Sequence, residues 1–186
     1  MNPLMCRADA AQVLLIDLQV RLFGAMPEAE RAAVTRSTCI LAAAASQLGL
    51  PLLYSEQYPK GLGPTAPEVV EALPDHARRF EKTAFSCCAA DGFLAALKST
   101  ERGQIVIAGQ ETHVCVLQTA LELMGEGFQV FVAEDAVCSR KLEHKRNALA
   151  RMAAAGVIVT NVESVVFEWL GDAAHPQFKS LSALIR

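Results

Sequence analysis

Phosphate-binding glycine loops, paired cysteines, basic runs and membrane-length apolar stretches are all missing from this chain of 186 residues. Each absence removes a class of function. The first strand candidate runs into DLQVRLFG, from Asp17 to Gly24, rather than into a glycine-rich turn that opens a helix. Gly61-Leu-Gly63 lacks a G-x-G-x-x-G continuation and no P-loop Lys-Ser/Thr pair occurs, so a nucleotide-binding dehydrogenase has no phosphate cradle. The six cysteines form no C-x-x-C pair, which argues against structural zinc and a redox dithiol and for reduced thiols. A net charge of −3 without a basic run disfavours nucleic acid as a partner. Apolar stretches such as residues 10–16 and 105–108 fall far short of the roughly 18–20 residues of a spanning helix, so no membrane association is expected. The N-terminal MNPLMCRADAAQ has no apolar core ending in a small-residue cleavage site, and a cytoplasmic address is the default expectation.

What the chain does contain is ample material for a core. Hydrophobic residues make up 52% and charged residues 20%, the balance of a folded domain, and residues 1–186 read as a single one. Short β-branched runs alternate with longer alanine-rich segments of helical period, the signature of βαβ units on a parallel sheet. Strands are expected at 12–17, 51–55, 78–82, 104–108, 128–133 and 157–160. Helices are expected at 27–48, 67–72, 89–98, 114–126 and 141–155, with a terminal helical stretch after Asn161. Between them, residues 56–64 carry two prolines and two glycines and read as a loop of some length.

Ligand sites of open α/β sheets lie beyond the carboxyl ends of the strands, where the strand order reverses. Three chemically capable residues stand there: Asp17 ends strand 1, Lys82 ends strand 3 and Cys115 follows strand 4. Cys115 opens a helix, where free N–H groups and the helix dipole favour a thiolate; the alternative is a buried core cysteine. Cys87 and Cys88 also precede a helix and compete for the nucleophile's role, as does Cys138 after strand 5, whereas Cys39 lies inside a helix and Cys6 in a frayed terminus. Asp17 is either a local cap or a carboxylate that takes a thiol proton and returns it to a leaving group. Lys82 is either a solvated cation or a group that holds thiolate and carboxylate in their charged forms.

In chain order and spacing, Asp17 in LLIDLQ, Lys82 in FEKTAFS and Cys115 in GQETHVCV resemble the triad of the isochorismatase-like cysteine hydrolases. SEQYPKGLGPT, IAGQETHVCVLQTALEL and VESVVFEWLGDAAHPQFK are similar to the subgroup of isochorismatase domain-containing proteins. The resemblance runs from about residue 10 to about residue 183. It implies a three-layer α/β/α fold with a six-stranded parallel sheet in the Rossmann-like order 3-2-1-4-5-6. It also implies hydrolysis through a covalent cysteine intermediate, with Cys115 as nucleophile, Asp17 as general base and acid, and Lys82 as charge stabiliser. A non-proline cis peptide in relatives maps onto Gln110–Glu111 and would aim the N–H of Glu111, with that of Cys115, at an oxyanion.

Metal-dependent members of the superfamily place an Asp and two His in the loop after strand 2, and here that loop reads SEQYPKGLG. Neither zinc nor any other cofactor is therefore expected. His113 reads as scaffold or pocket wall, and His76, His144 and His175 as surface residues. The substrate pocket is expected to be small, walled by Gln19, Phe23, Tyr54, Tyr58 and Phe85, and suited to a compact carbonyl compound. The apolar segment 162–170 exceeds what a terminal helix needs, pointing to a homo-oligomer. A non-catalytic small-molecule-binding or scaffolding protein with the same fold is the competing reading.

Overall fold

The computed structural model describes residues 4–185. Its strands are β1 (Ala11–Ile16), β2 (Leu52–Gln57), β3 (Arg78–Lys82), β4 (Gln104–Gln110), β5 (Gln129–Cys138) and β6 (Ile158–Thr160). All six are parallel and lie in the order β3-β2-β1-β4-β5-β6. β1, AQVLLI, is central and buried along its whole length, which is why its sequence is continuously apolar rather than alternating.

Successive side chains of a strand point to opposite faces, and β1 accordingly feeds two cores. Val13 and Leu15 pack with Leu41 and Ala45 of α2 (Glu28–Gln47), Val69 of α4 (Pro67–Ala72), Val165 and Trp169 of α8 (Val162–Leu170) and Leu181 of α9 (Phe178–Ile185). Leu14 and Ile16 pack with Phe93 of α5 (Phe93–Lys98), Leu123 of α6 (Leu117–Gly125) and Met152 of α7 (Leu142–Ala155). The result is three layers, helices on both faces of the sheet. Two short helices, α1 (Val20–Phe23) and α3 (Pro59–Leu62), sit beyond the ends of β1 and β2. None of the described helices is long and apolar enough to cross a membrane.

Three strands outrun their sequence-based limits, and the extensions build the site. β2 continues through Glu56 and Gln57, and β4 through Gly109 and Gln110. β5 continues through Glu134 and Asp135, two acids that read as a strand end. There the Asp135 carboxylate accepts the Val162 N–H at 3.0 Å. After a register shift, pairing resumes at Gly109–Val137 and Gln110–Cys138. Gly109 has φ +129°, and a Cβ there would lie 2.1 Å from the Ile16 carbonyl oxygen, so only glycine lets β1 and β4 approach this closely.

Two helix starts also differ from expectation. Cys115 lies in a π-helical turn, Thr112–Val116, that precedes α6, rather than at the first turn of an α-helix. Cys87–Ala89 form a 3₁₀ turn, and α5 begins only at Phe93.

Candidate active site

Asp17 turns off the end of β1 with φ +52° and is fully buried. Its Oδ2 accepts from Lys82 Nζ at 2.6 Å and its Oδ1 from the Ser55 hydroxyl at 2.7 Å. Its carbonyl accepts from Gln110 Nε2 at 3.0 Å. Lys82, the last residue of β3, also donates to Gln57 Oε1 at 2.7 Å and to the carbonyls of Phe85 and Ala84 at 2.9 and 3.3 Å. Four acceptors surround three ammonium hydrogens, so the cation is fully engaged. A buried ion pair persists only with such supporting hydrogen bonds, and this one has them on both partners.

Cys115 faces the same carboxylate. Burial first, then the negative charge of Asp17, push its thiol up to about 12, against the smaller opposing pull of Lys82. The sequence-based expectation of a resting thiolate is corrected here. The π-helical turn does not offer a first α-helical turn, and the Lys82 charge is already bound to Asp17. Burial likewise pushes Cys6, Cys87 and Cys138 up to about 12 and Cys88 up to about 11. Cys6 is not frayed: it accepts from the Trp169 indole at 3.2 Å and is buried. Cys87, the nearest rival, points its thiol at Ser55 Oγ at 3.3 Å and has no exposed surface, whereas Cys115 retains 6%.

The expected pocket residues divide. Tyr58 and Phe85 are each 54% exposed. Tyr58 lines a cleft of about 440 Å³ with Pro59, Lys60, Lys82, Thr83 and Ala90, and the Phe85 carbonyl touches Lys82. Gln19, Phe23 and Tyr54 lie elsewhere. The Gln19 amide is used up inside the fold, donating to the carbonyls of Gln57 and Gly63 at 3.0 and 2.7 Å and accepting the Gln57 N–H at 2.7 Å. Phe23 is buried in the core on the α2 face, and Tyr54 packs against that same core. Strand alternation explains Tyr54: Leu53, Ser55 and Gln57 share the Asp17 side of β2, while Leu52, Tyr54 and Glu56 share the other.

The Gln110–Glu111 peptide is cis. Both Glu111 carboxylate oxygens accept from Arg140 Nε at 3.1 Å, and one also accepts the Arg140 N–H at 3.0 Å. His113 pairs its Nδ1 with Ser139 Oγ at 3.0 Å, and burial lowers its pKa. Among the described residues no group of three or more His, Cys, Asp or Glu is placed to hold a metal ion. Ser55, Gln57, Ser139 and Arg140 join the site without a signal in the sequence. Gln57 enters the site because β2 runs two residues past its expected end and Ser55 already lies within it, but the partners of Ser139 and Arg140 lie 26 and 29 positions away with no local signal.

Known proteins share this arrangement of elements. The Isochorismatase domain model matches residues 11–164. The isochorismatase domain-containing protein 1 of Salmo salar is 41% identical over 139 residues, 75% of this chain and 48% of that protein. The chain thus spans about half the length of that curated relative. The structure of MAR1 ribonuclease from Caenorhabditis elegans superposes with a TM-score of 0.91 at 34% identity, covering 96% of this chain and 91% of the other. YcaC from Pseudomonas aeruginosa, with hexane-2,5-diol and covalent acrylamide, gives 0.91 at 28% identity over 100% and 92% of the two chains. YcaC of Escherichia coli, described as an octameric hydrolase of unknown specificity, gives 0.90 at 28% identity over 97% and 89%. With the family model spanning most of the sheet and both helical layers, the chain belongs to the isochorismatase family of hydrolase-fold proteins.

Proposed function

We propose that the chain is a cysteine hydrolase of small carbonyl, amide or related compounds. One observation carries this reading: a slightly accessible cysteine, Cys115, lies within electrostatic reach of a carboxylate, Asp17, that a buried ammonium, Lys82, holds by an ion pair. Cys115 Sγ attacks the substrate carbonyl carbon while its proton passes to Asp17. The scissile bond breaks as Asp17 returns that proton to the leaving amine or alcohol. Water, giving its proton to Asp17, then attacks the thioester and releases the acid and the free thiol. The N–H groups of Glu111 and Cys115 receive the developing oxyanion. Lys82 acts through Asp17 rather than on the substrate, because its hydrogens are already engaged. The substrate enters past Tyr58 and Phe85, and the reaction as drawn uses no cofactor.

The covalent acrylamide of the Pseudomonas relative, a small unsaturated amide, is in keeping with a site of this class. The octameric Escherichia coli relative supports a homo-oligomer here, which light scattering at the mass of one chain would contradict. The net charge of −3 favours a small molecule over RNA as substrate. A screen of amides, ureido acids and vinyl ethers, with RNA as a further arm and a chelator control, tests the reading. Turnover of a small molecule by the wild type and not by Cys115→Ala supports it; equal turnover by both overturns it.

A further inference from the structure

The segment that leaves β5 is fastened twice to the turn that carries Cys115. β4 and β5 pair as far as Gln110 and Cys138, so Glu111 and Ser139 are the next residues on adjacent chains. Arg140 Nε donates to both carboxylate oxygens of Glu111 at 3.1 Å, and the Arg140 main-chain N–H donates to one of them at 3.0 Å. On the far side of Thr112, Ser139 Oγ lies 3.0 Å from His113 Nδ1. The Glu111 carbonyl in turn accepts the N–H groups of Val114 and Val116, so Glu111 is the first peg of the π-helical turn. Rotation of the backbone between Glu111 and His113 strains these fastenings at one end or the other.

We infer that Arg140, seconded by Ser139, is a positioning residue that fixes the carbonyl-polarising N–H groups of the Cys115 turn. This inference rests on the functional reading of Glu111 and Cys115 given above. The Arg140 side chain is 59% exposed and that of Glu111 only 11%. An ion pair with one partner so well solvated contributes little to stability. Its consequence is geometric. The single Nε–H is shared between both carboxylate oxygens and so holds the carboxylate centred against Arg140, a contact that depends on where the charge sits. Removing the side chain leaves the main-chain N–H bond and the Ser139 contact in place, so the fold survives while the turn loosens.

Two thiol probes separate positioning from mere structural support. In acrylamide addition the Cys115 sulfur bonds to the terminal alkene carbon, and the alkene electrons shift onto the carbonyl oxygen as an enolate. The α-carbon then takes a proton. In methyl methanethiosulfonate exchange the sulfur bonds to the sulfenyl sulfur and methanesulfinate leaves, so no charge builds on a carbonyl oxygen. Modification rates of Cys115 are followed by peptide mass mapping, with circular dichroism as a folding control. Because loss of a whole oxyanion donor costs 10²–10³-fold, a displaced one in Arg140→Ala slows the acrylamide reaction about tenfold and leaves the thiosulfonate reaction within about twofold. Ser139→Ala acts in the same sense and less, and Arg140→Lys recovers part of the loss. If Arg140→Ala changes both rates equally, or neither, the positioning role is overturned and the nucleophile stands. If acrylamide modifies any of the other five cysteines ahead of Cys115 in the wild type, the functional reading itself fails and this inference with it.

Discussion

Replacing Lys82 by methionine removes a buried cation while keeping most of the side chain's length and volume. In the wild type, Nζ and Asp17 Oδ2 are 2.6 Å apart, with side chains 1% and 0% exposed. At an effective dielectric constant of about 20, this separation corresponds to roughly 6 kcal/mol of attraction before desolvation is subtracted. Removing one partner of such a pair leaves the other charge buried and uncompensated, at a net cost of about 3–5 kcal/mol. For a chain of this size, about 2–4 °C per kcal/mol translates that into a fall in Tm of about 6–20 °C. Urea titration at pH 7 measures the same quantity through its midpoint. The double variant Asp17→Asn, Lys82→Met removes both charges, and should recover at least about 1.5 kcal/mol relative to the sum of the single losses. A loss below about 1 kcal/mol for Lys82→Met would refute the buried-pair reasoning. Strict additivity of the two substitutions would refute it as well.

Gly109→Ala places a methyl group 2.1 Å from the Ile16 carbonyl oxygen at φ +129°. It should destabilise by about 3 kcal/mol or more, and an unchanged urea midpoint would contradict the close approach of β1 and β4. The buried thiols Cys6, Cys87, Cys115 and Cys138 are pushed up to about 12 from an ordinary 9.0, so the folded state keeps protons that the unfolded state releases. Their contribution to stability is complete below about pH 9 and is lost as pH rises toward about 12. Thermal melts should therefore fall steadily between pH 9 and 11, and a flat profile would contradict the burial.

The central features of the site were legible because each belongs to a pattern that sequence expresses locally. Asp17 closes a continuous apolar run, Lys82 ends a short strand and Cys115 follows a buried one, and the topology brings such strand ends together. Strand limits were less legible. Gln57 lies beyond the expected end of β2, which stays paired with β3 through Gln57–Lys82 although a loop rich in proline and glycine follows. Tyr54 lies inside the expected strand, and its parity, opposite to that of Ser55 and Gln57, puts it on the other face of the sheet. Phe23 and Gln19 follow Asp17 in the chain, but the turn at Asp17 folds them back into the α2 core and onto Gly63. The Cys115 thiol illustrates a different gap: burial first and the Asp17 charge second keep it protonated, and both depend on packing between segments far apart in the chain.

The nucleophilic role of Cys115 is tested most directly with an activated ester, p-nitrophenyl acetate, by rapid acid quench and peptide mass mapping. A Cys115 nucleophile gives a burst of p-nitrophenol and one acetyl group on the peptide containing Cys115, and both are lost in Cys115→Ala. Asp17→Asn should slow acetylation by about 10²–10⁴-fold, since the resting thiol then has no base. Acetylation of Cys87 or Cys88 in its place, or a burst that survives in Cys115→Ala, would contradict Cys115 as the nucleophile.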